Sequence, residues 1–371
     1  MERVYLDYNA TTPIHPRVAA AMQSALDSYG NPSSAHWAGA PARLIIEDSR
    51  RQIALMLGCE PDEVIFTSGG TEANNLALKG LAFAHGVGNS HVITSAIEHP
   101  AIVAPCAFLQ RLGAGCTVIP VDATGRIDPD DLRRAIRPNT RLVSIMHANN
   151  EVGTLQPITE CARIAHEHGI AFHSDAAQSV GKIATQVATL GVDMLSIAGH
   201  KLYAPKGVGA LYLRRGLTLE PLLHGAQHER GRRAGTESAI LCAALGAAAT
   251  LAMDLGSSEK VRELRDIFWN GLRERFGARV LLNGHPIERL PNTLNVSFLN
   301  VAGSELLAQL PDIAASTGSA CHSGSIELSP VLKAMGVTAE NGAGAVRFSL
   351  GRETTREQID SVLAQLSALP V

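Results

Sequence analysis

The stretch FTSGGTEANN, residues 66–75, decides the fold. It is entered from EVIFTS (63–68), whose β-branched and aromatic residues predict a strand; two glycines then turn the chain, and Thr71 opens a helix. Backbone N–H groups at a helix start, with glycines allowing close approach, make a natural anion site. An ordinary β-to-α turn has the same pattern, so the stretch alone leaves phosphate binding open. Its strand, turn and helix order nevertheless marks a chain that alternates β and α.

The alternation continues outward from it. HVITSAI (91–97), CTVIPV (116–121), RLVSIMHA (141–148), IAFHSDA (170–176), DMLSIAG (193–199) and GALYLRR (209–215) are strand-like. Helical patterns lie between several of them, at 100–112, 128–136 and 157–168, the second opened by Asp-Pro. Such alternation predicts an α/β fold with a mainly parallel central sheet and helices on both faces. After about residue 256 the texture changes to long amphipathic helices, 258–276 and 355–368, flanking the strand-like NTLNVSF (292–298) and AVRFSLG (345–351). Thr354 with Glu357 three residues on predicts a capping box for the last helix. The expected organisation is a large α/β domain over 16–256 and a smaller α+β domain from 1–15 and 257–371, connected by the Ala-rich helix at 238–254.

At 371 residues, 46% apolar and 18% charged with a formal net charge of −3, the chain has no electrostatic reason to bind nucleic acid or an anionic membrane. Its first residues, MERVYLDYNATTP, show no basic region followed by an apolar core, and no apolar run approaches the ~18–20 residues of a membrane span, so a cytoplasmic location is expected. Six cysteines, at 59, 106, 116, 161, 242 and 321, form no CxxC pair and read as separate thiols in a reducing compartment. Only six of the 32 basic residues are lysines, at 79, 182, 201, 206, 260 and 333, so lysine chemistry has a short list of candidates.

Two further stretches carry chemistry. In FHSDAAQSVGK (172–182), Asp175 stands at the C-terminal end of a strand, where open α/β sheets meet their ligands, although an aspartate there can equally cap a turn. A buried carboxylate is costly without a cationic companion, and a protonated heterocycle nitrogen is one. In DMLSIAGHKLYAPKGVGALYL (193–213), Lys201 follows a strand of apolar and small residues, where an amine loses its proton more readily and attacks a carbonyl. The alternative is a stem that carries its charge to water, which is the reading for Lys206 in its Pro-Lys-Gly turn. A phosphate cradle, a strand-end aspartate and a buried lysine, in that order on an α/β sheet, are together what pyridoxal 5′-phosphate needs.

STGSACHSGS (316–325) places Cys321 and His322 among small and hydroxylated residues. A metal site is not expected, because the two are adjacent and no second Cys/His pair has zinc spacing. His166 and His168 are two apart on a helix, and glycine interrupts His224 and His228. A nucleophile and an inert loop thiol remain.

The chain resembles the cysteine desulfurases and selenocysteine lyases of the aminotransferase class V group, fold-type I pyridoxal-phosphate enzymes. The motifs are YLDYNATTP (5–13), GNPSSAH (30–36), TSGGTE (67–72), IEHPA (97–101), HANNEVG (147–153), DAAQSVGK (175–182) and GHK (199–201), then HERGRRAGTE (228–237), NTLNVSF, TGSACHSG (317–324) and VRFSLGR (346–352). They span essentially the whole chain in order. The resemblance implies a Schiff-base role for Lys201 and a ring-nitrogen contact for Asp175. It implies that His99 stacks on the ring and moves protons, and that Asn150 and Gln178 contact ring substituents, Gln178 the phenolic oxygen. Gly70, Thr71 and His200 would bind phosphate, with Thr236 reaching it from the second subunit of a homodimer. Arg347, assisted by Asn150, would grip the substrate carboxylate.

The implied reaction converts L-cysteine to L-alanine, with sulfur passing to Cys321 as a persulfide and then to an acceptor protein. A thiolate is required for that attack, and small neighbours suit a loop that delivers sulfur. Three features depart from the family pattern. Ala198 stands where desulfurases often have a phosphate-binding serine. His322 follows the cysteine where many have a hydroxyl residue, and a Cys-His pair also looks like the lyases that release selenide from L-selenocysteine. The chain stops about a helix after VRFSLGR, without the tail that in some relatives helps engage an iron–sulfur scaffold. Two other classes are an aminotransferase, which would need Lys201 and Arg347 but not Cys321, and a non-catalytic scaffold, which would have lost Lys201, Asp175 or Cys321.

Overall fold

The strand expected at EVIFTS forms over Val64–Thr67, and the glycines after it start a helix over Gly70–Ala84. Gly69 makes that turn at φ 151° and ψ 179°, a region open in practice to glycine alone. The structure is a computed structural model. It describes the backbone of residues 3–317, 319–322 and 325–369, and the side chains of residues 3–317 and 328–369.

The first strands in chain order are β1 (Val4–Tyr5), β2 (Val64–Thr67), β3 (His91–Ser95), β4 (Gly115–Ile119) and β5 (Thr140–Ser144). They are followed by β6 (Ala171–Asp175), β7 (Met194–Ala198), β8 (Gly209–Leu213), β9 (Val280–Asn283) and β10 (Thr293–Phe298). The last are β11 (Ile313–Ala314), β12 (Ser316–Thr317), β13 (Ser319–His322), β14 (Ser325–Leu328) and β15 (Ala345–Ser349). Seven of them make the main sheet, in the order β2-β8-β7-β6-β5-β3-β4. Its pairings are parallel except those of β8, which runs against both β2 and β7.

Successive residues along these strands enter opposite layers, as the two-residue period of a strand requires. Val64, Phe66, Ile93, Val143 and Leu195 join one apolar cluster with helices over Gly39–Leu57, Ile158–Glu167 and Ala239–Ala252. Ile65, Val92, Leu142, Met194 and Leu211 join the opposite cluster with helices over Gly70–Ala84 and Pro100–Arg111. The sheet is therefore covered on both faces, which explains why its central strands read as nearly continuous apolar runs.

A separate cluster gathers Val4, Leu6, Phe268, Leu272, Val296, Phe348, Ile359 and Val362. It is built on the antiparallel sheet β12-β15-β10-β9, the parallel pair β1-β11, and helices over Gly256–Phe276 and Arg356–Ser367. The last helix begins one residue later than expected: Thr355 is the N-cap, and the capping box closes on Gln358 rather than Glu357. The Thr354 hydroxyl is buried and accepts from Gly351 N at 2.9 Å, so it is not free to cap. The stretch expected as a loop around Cys321 instead carries a short antiparallel pairing of β13 with β14, Cys321 opposite Ile326. The side chains of Cys321 and His322 lie outside the described residues.

Candidate active site

Strands β2, β3, β5, β6 and β7 run in one direction, so the residues that follow them emerge along one edge of the sheet. Gly70 and Thr71 follow β2, His99 follows β3, and Asn150 follows β5. Asp175 ends β6 with Gln178 in the next turn, and His200 and Lys201 form the turn after β7. All of them line one cavity of about 360 Å³, the position at which open α/β sheets hold ligands. Asn9 from the N-terminal segment and Arg347 from β15 line it too. Thr236 does not: it is exposed and lines a separate cavity of about 180 Å³ together with Ser68 and Gly207.

The helix start at Gly70 is held from two sides. Glu72 accepts from Ser68 N at 2.8 Å and pairs with Arg233 at 2.8 Å, tying the turn to the segment that carries Thr236. On the sheet side, Gly209 of β8 packs so close that a Cβ there would come within 2.7 Å of the Gly69 backbone. Ala198, at the end of β7, lines the cavity beside Gly70, so its side chain adds no hydrogen-bonding group to the cradle. Thr11 and Thr12 fasten His200: its Nδ1 lies 3.2 Å from Thr11 Oγ1, and its carbonyl accepts from Thr12 N at 2.9 Å. Burial, reinforced by Lys201 and Lys206, pushes the His200 imidazole pKa down to about 4, so it is neutral at neutral pH.

Asp175 Oδ2 accepts from Asn74 Nδ2 at 2.7 Å and Oδ1 from Ala177 N at 2.9 Å. Two neutral donors fix the carboxylate without neutralising it, which leaves a buried negative charge suited to a cationic ligand atom. Burial pushes the Lys201 amine down to about 8, with Asp175 opposing the shift and Arg347 adding to it. His99 caps the helix at Pro100–Arg111, its Nδ1 accepting from Ala101 N at 3.1 Å. Burial lowers its pKa, with Asp175 opposing and Lys201 assisting. A neutral imidazole whose Nδ1 accepts carries its proton on Nε2, so toward a ligand His99 is a donor rather than a base. Lys201 is therefore the better proton acceptor in the cavity. Behind His99, Glu98 accepts from Ser95 Oγ at 2.6 Å and Met146 N at 2.9 Å, and burial pushes its carboxyl up to about 8.

Arg347 meets the cavity already partnered. Nη2 donates to Asp7 at 2.6 Å and Ser316 Oγ at 3.0 Å, and Nη1 donates to the Asn150 carbonyl at 3.0 Å. Among the described residues its buried Nε has no acceptor. Gln178 Nε2 donates to the Asn9 carbonyl at 2.9 Å, and Gln178 Oε1 accepts from Lys182 at 2.9 Å.

Asp7, Asn9, Asn74 and Lys182 join the site without being among the residues expected there, although each stands in one of the motifs above. Lys182 was one of only six lysines, which was the available signal. Nothing local distinguishes Asn9 or Asn74 from a turn residue, because their partners come from distant strands.

A polar cavity with an anion cradle at a helix start, an oriented carboxylate and an amine of lowered pKa can bind a phosphorylated heterocycle and present a nucleophile to its carbonyl. Residues 4–362 match the aminotransferase class-V family. The chain is 48% identical over 371 residues to a cysteine desulfurase IscS of Dictyoglomus turgidum, covering 99% of this chain and 94% of the relative. It is 47% identical over 365 residues to a cysteine desulfurase IscS of Methanosarcina thermophila, covering 97% and 90%. Among solved structures, a NifS-like protein superposes with a TM-score of 0.91 at 36% identity, covering 98% of each chain. SspA in complex with cysteine superposes at 0.85 with 38% identity, covering 95% of this chain and 100% of that one.

Proposed function

The chain belongs to the aminotransferase class-V family, and we propose that it is a pyridoxal-phosphate-dependent cysteine desulfurase that moves the sulfur of L-cysteine onto Cys321 and leaves L-alanine. The observation that carries this reading is the convergence of Lys201, Asp175 and the Gly70 helix start in one cavity. Close identity to relatives named cysteine desulfurase supports the choice of substrate.

The residues present fit the cofactor. Gly70 and Thr71, with the neutral His200, suit its phosphate. Asp175, held by Asn74 and Ala177, suits a protonated ring nitrogen, and the second N–H of Gln178 suits the phenolic oxygen. Pyridoxal 5′-phosphate, when bound, supplies a carbonyl that condenses with amines and a ring that accepts an electron pair. Lys201, whose amine is about half unprotonated near pH 8, would hold that carbonyl and, when freed from it, would take the substrate α-proton. Arg347, oriented by Asp7 and lining the cavity, suits the substrate carboxylate. The Cys321 thiolate would attack the substrate sulfur, the electron pair of the broken Cβ–S bond staying on the carbon side; a proton added at Cβ and the α-proton returned to Cα by Lys201 give alanine. Thr236 lies outside the cavity of its own chain, and its service to the phosphate belongs to a homodimer in which it reaches the other subunit. The sulfur then passes from Cys321 to an acceptor protein.

The test supplies the cofactor-loaded protein with L-cysteine and measures alanine and protein-bound persulfide for wild type, Cys321→Ala and Lys201→Ala. Wild type is expected to form both products, while Cys321→Ala forms no persulfide and almost no alanine. Lys201→Ala is expected to lose the visible absorbance of the bound cofactor as well. Equal alanine from wild type and Cys321→Ala would remove the persulfide role. Transfer of the amino group to an added keto acid in place of alanine formation would make the protein an aminotransferase.

A further inference from the structure

We propose that Lys182 is a positioning residue of the cofactor site, holding the Gln178 amide so that its nitrogen, and not its oxygen, faces the ring. The inference rests on the pyridoxal-phosphate reading above and adds to it a residue that does not touch the cofactor. Lys182 is absent from the lining of the main cavity and, with Lys201, lines a smaller one of about 30 Å³. From there its Nζ donates to Gln178 Oε1 at 2.9 Å and to Asn9 Oδ1 at 3.3 Å.

The two ends of a glutamine amide are nearly equal in size, so packing barely distinguishes them; hydrogen bonding does. Lys182 donates to the oxygen end, and the Asn9 carbonyl accepts one N–H of the nitrogen end at 2.9 Å. One N–H of Gln178 remains. The reverse orientation would set an acceptor against the phenolic oxygen of the cofactor, itself an acceptor, and would leave Lys182 facing an NH₂ group.

The same lysine orients a second amide. Asn9 Oδ1 accepts from Lys182 and, at 2.9 Å, from Asn292 Nδ2, which turns Asn9 Nδ2 toward the Asn150 carbonyl at 3.1 Å and Thr293 Oγ1 at 2.8 Å. That Asn150 carbonyl also receives Arg347 Nη1. One ammonium or amine group thus sets a chain of donors running from the ring site to the substrate arginine. Burial, with Lys201 and Arg347 nearby, pushes the Lys182 pKa well below the ordinary lysine value. In either protonation state the amine has N–H groups for both oxygens, and the Asn9 carbonyl, which can only accept, keeps the nitrogen end of Gln178 in place.

The experiment compares wild type, Lys182→Met, Gln178→Ala and the double variant, reading the pH midpoint of the visible absorbance of the cofactor-loaded protein and the Kd for pyridoxal 5′-phosphate. Losing a donor to the ionised phenolic oxygen favours its protonated form. Lys182→Met is therefore expected to raise the midpoint, as Gln178→Ala does, and to weaken cofactor binding on the order of threefold to tenfold. In the Gln178→Ala background, Lys182→Met is expected to move neither quantity further. An unmoved midpoint in Lys182→Met, or its full shift repeated in the Gln178→Ala background, overturns the proposal. Circular dichroism reports folding. Should Lys182→Met not fold, Lys182→Gln, which keeps a donor, carries the same comparison, with a smaller shift that Gln178→Ala abolishes. A wild-type protein that gains no visible band with pyridoxal 5′-phosphate would instead overturn the cofactor reading itself.

Discussion

Lys201 emerges one short turn beyond β7, half-buried, between the buried strand residue Ala198 and Leu202 along the chain. Its lowered pKa of about 8, against 10.5 for the free side chain, is a desolvation effect that Asp175 only partly offsets. Covalent capture of the pyridoxal carbonyl by the cofactor-free protein needs the unprotonated amine. The capture rate is therefore expected to rise with pH through a midpoint near 8 and level off above it. Stopped-flow absorbance measures this, and a midpoint near 10 would contradict the burial argument. The place of Lys201 in the cavity was legible because lysines are few and this one follows an apolar strand. The supporting roles of Asn74 and Lys182 were not, since each depends on a residue reached only by folding: Asn74 on Asp175, and Lys182 on Asn9.

At the scale of elements, the proposed phosphate cradle is made by the turns after β2 and β7, which do not adjoin. β8 lies between them, antiparallel to both, and its Gly209 lets the Gly69 turn and β7 approach closely. Ala198 of β7 lines the cradle with a methyl group where a hydroxyl could donate. Ala198→Ser is expected to slow release of pyridoxal 5′-phosphate and tighten its binding by ~1 kcal/mol, roughly fivefold, as measured by cofactor exchange. Unchanged affinity would mean that the helix start and His200 already satisfy the phosphate. Most of the elements singled out were legible to within a residue or two, because strand and helix periods are local properties; β5 ends at Ser144, four residues short of the expected strand, and the helix over Gly39–Leu57 was not singled out. The capping box slipped by one residue because the Thr354 hydroxyl is taken by Gly351, a contact that the sequence pattern does not reveal.

For the whole molecule, the N-terminal segment joins the two packed bodies. Val4 and Leu6 are buried with the second cluster, while Thr12 bonds to the His200 carbonyl beside the main sheet. Asn9 stands between them, buried, bonding through its backbone and side chain to Gln178, Asn150 and Lys182 on one side and to Asn292, Thr293 and Ser349 on the other. Asn9→Ala removes the side-chain half of this junction and strands buried partners. It is expected to destabilise the protein by about 2–3 kcal/mol in urea unfolding. A variant within about half a kcal/mol of wild type would show that the junction is held by the backbone alone.

The amino-acid sequence by itself determined the alternation of strands and helices, the mainly parallel sheet, and the lysine, aspartate and glycine turn expected at its edge. Periodicity, turn chemistry and motif order are written along the chain, so they need no knowledge of distant neighbours. Only the tertiary structure decided which polar groups hold those residues. Examples are the Asn74 amide on Asp175, the Asp7 carboxylate on Arg347, and the Lys182 amine on Gln178, separated by 101, 340 and 4 residues along the chain. Even the last pair is meaningful only because Asn9, 173 residues from Lys182, closes the other side of the amide. Hydrogen bonds act over about 3 Å, and which groups come that close is settled by packing.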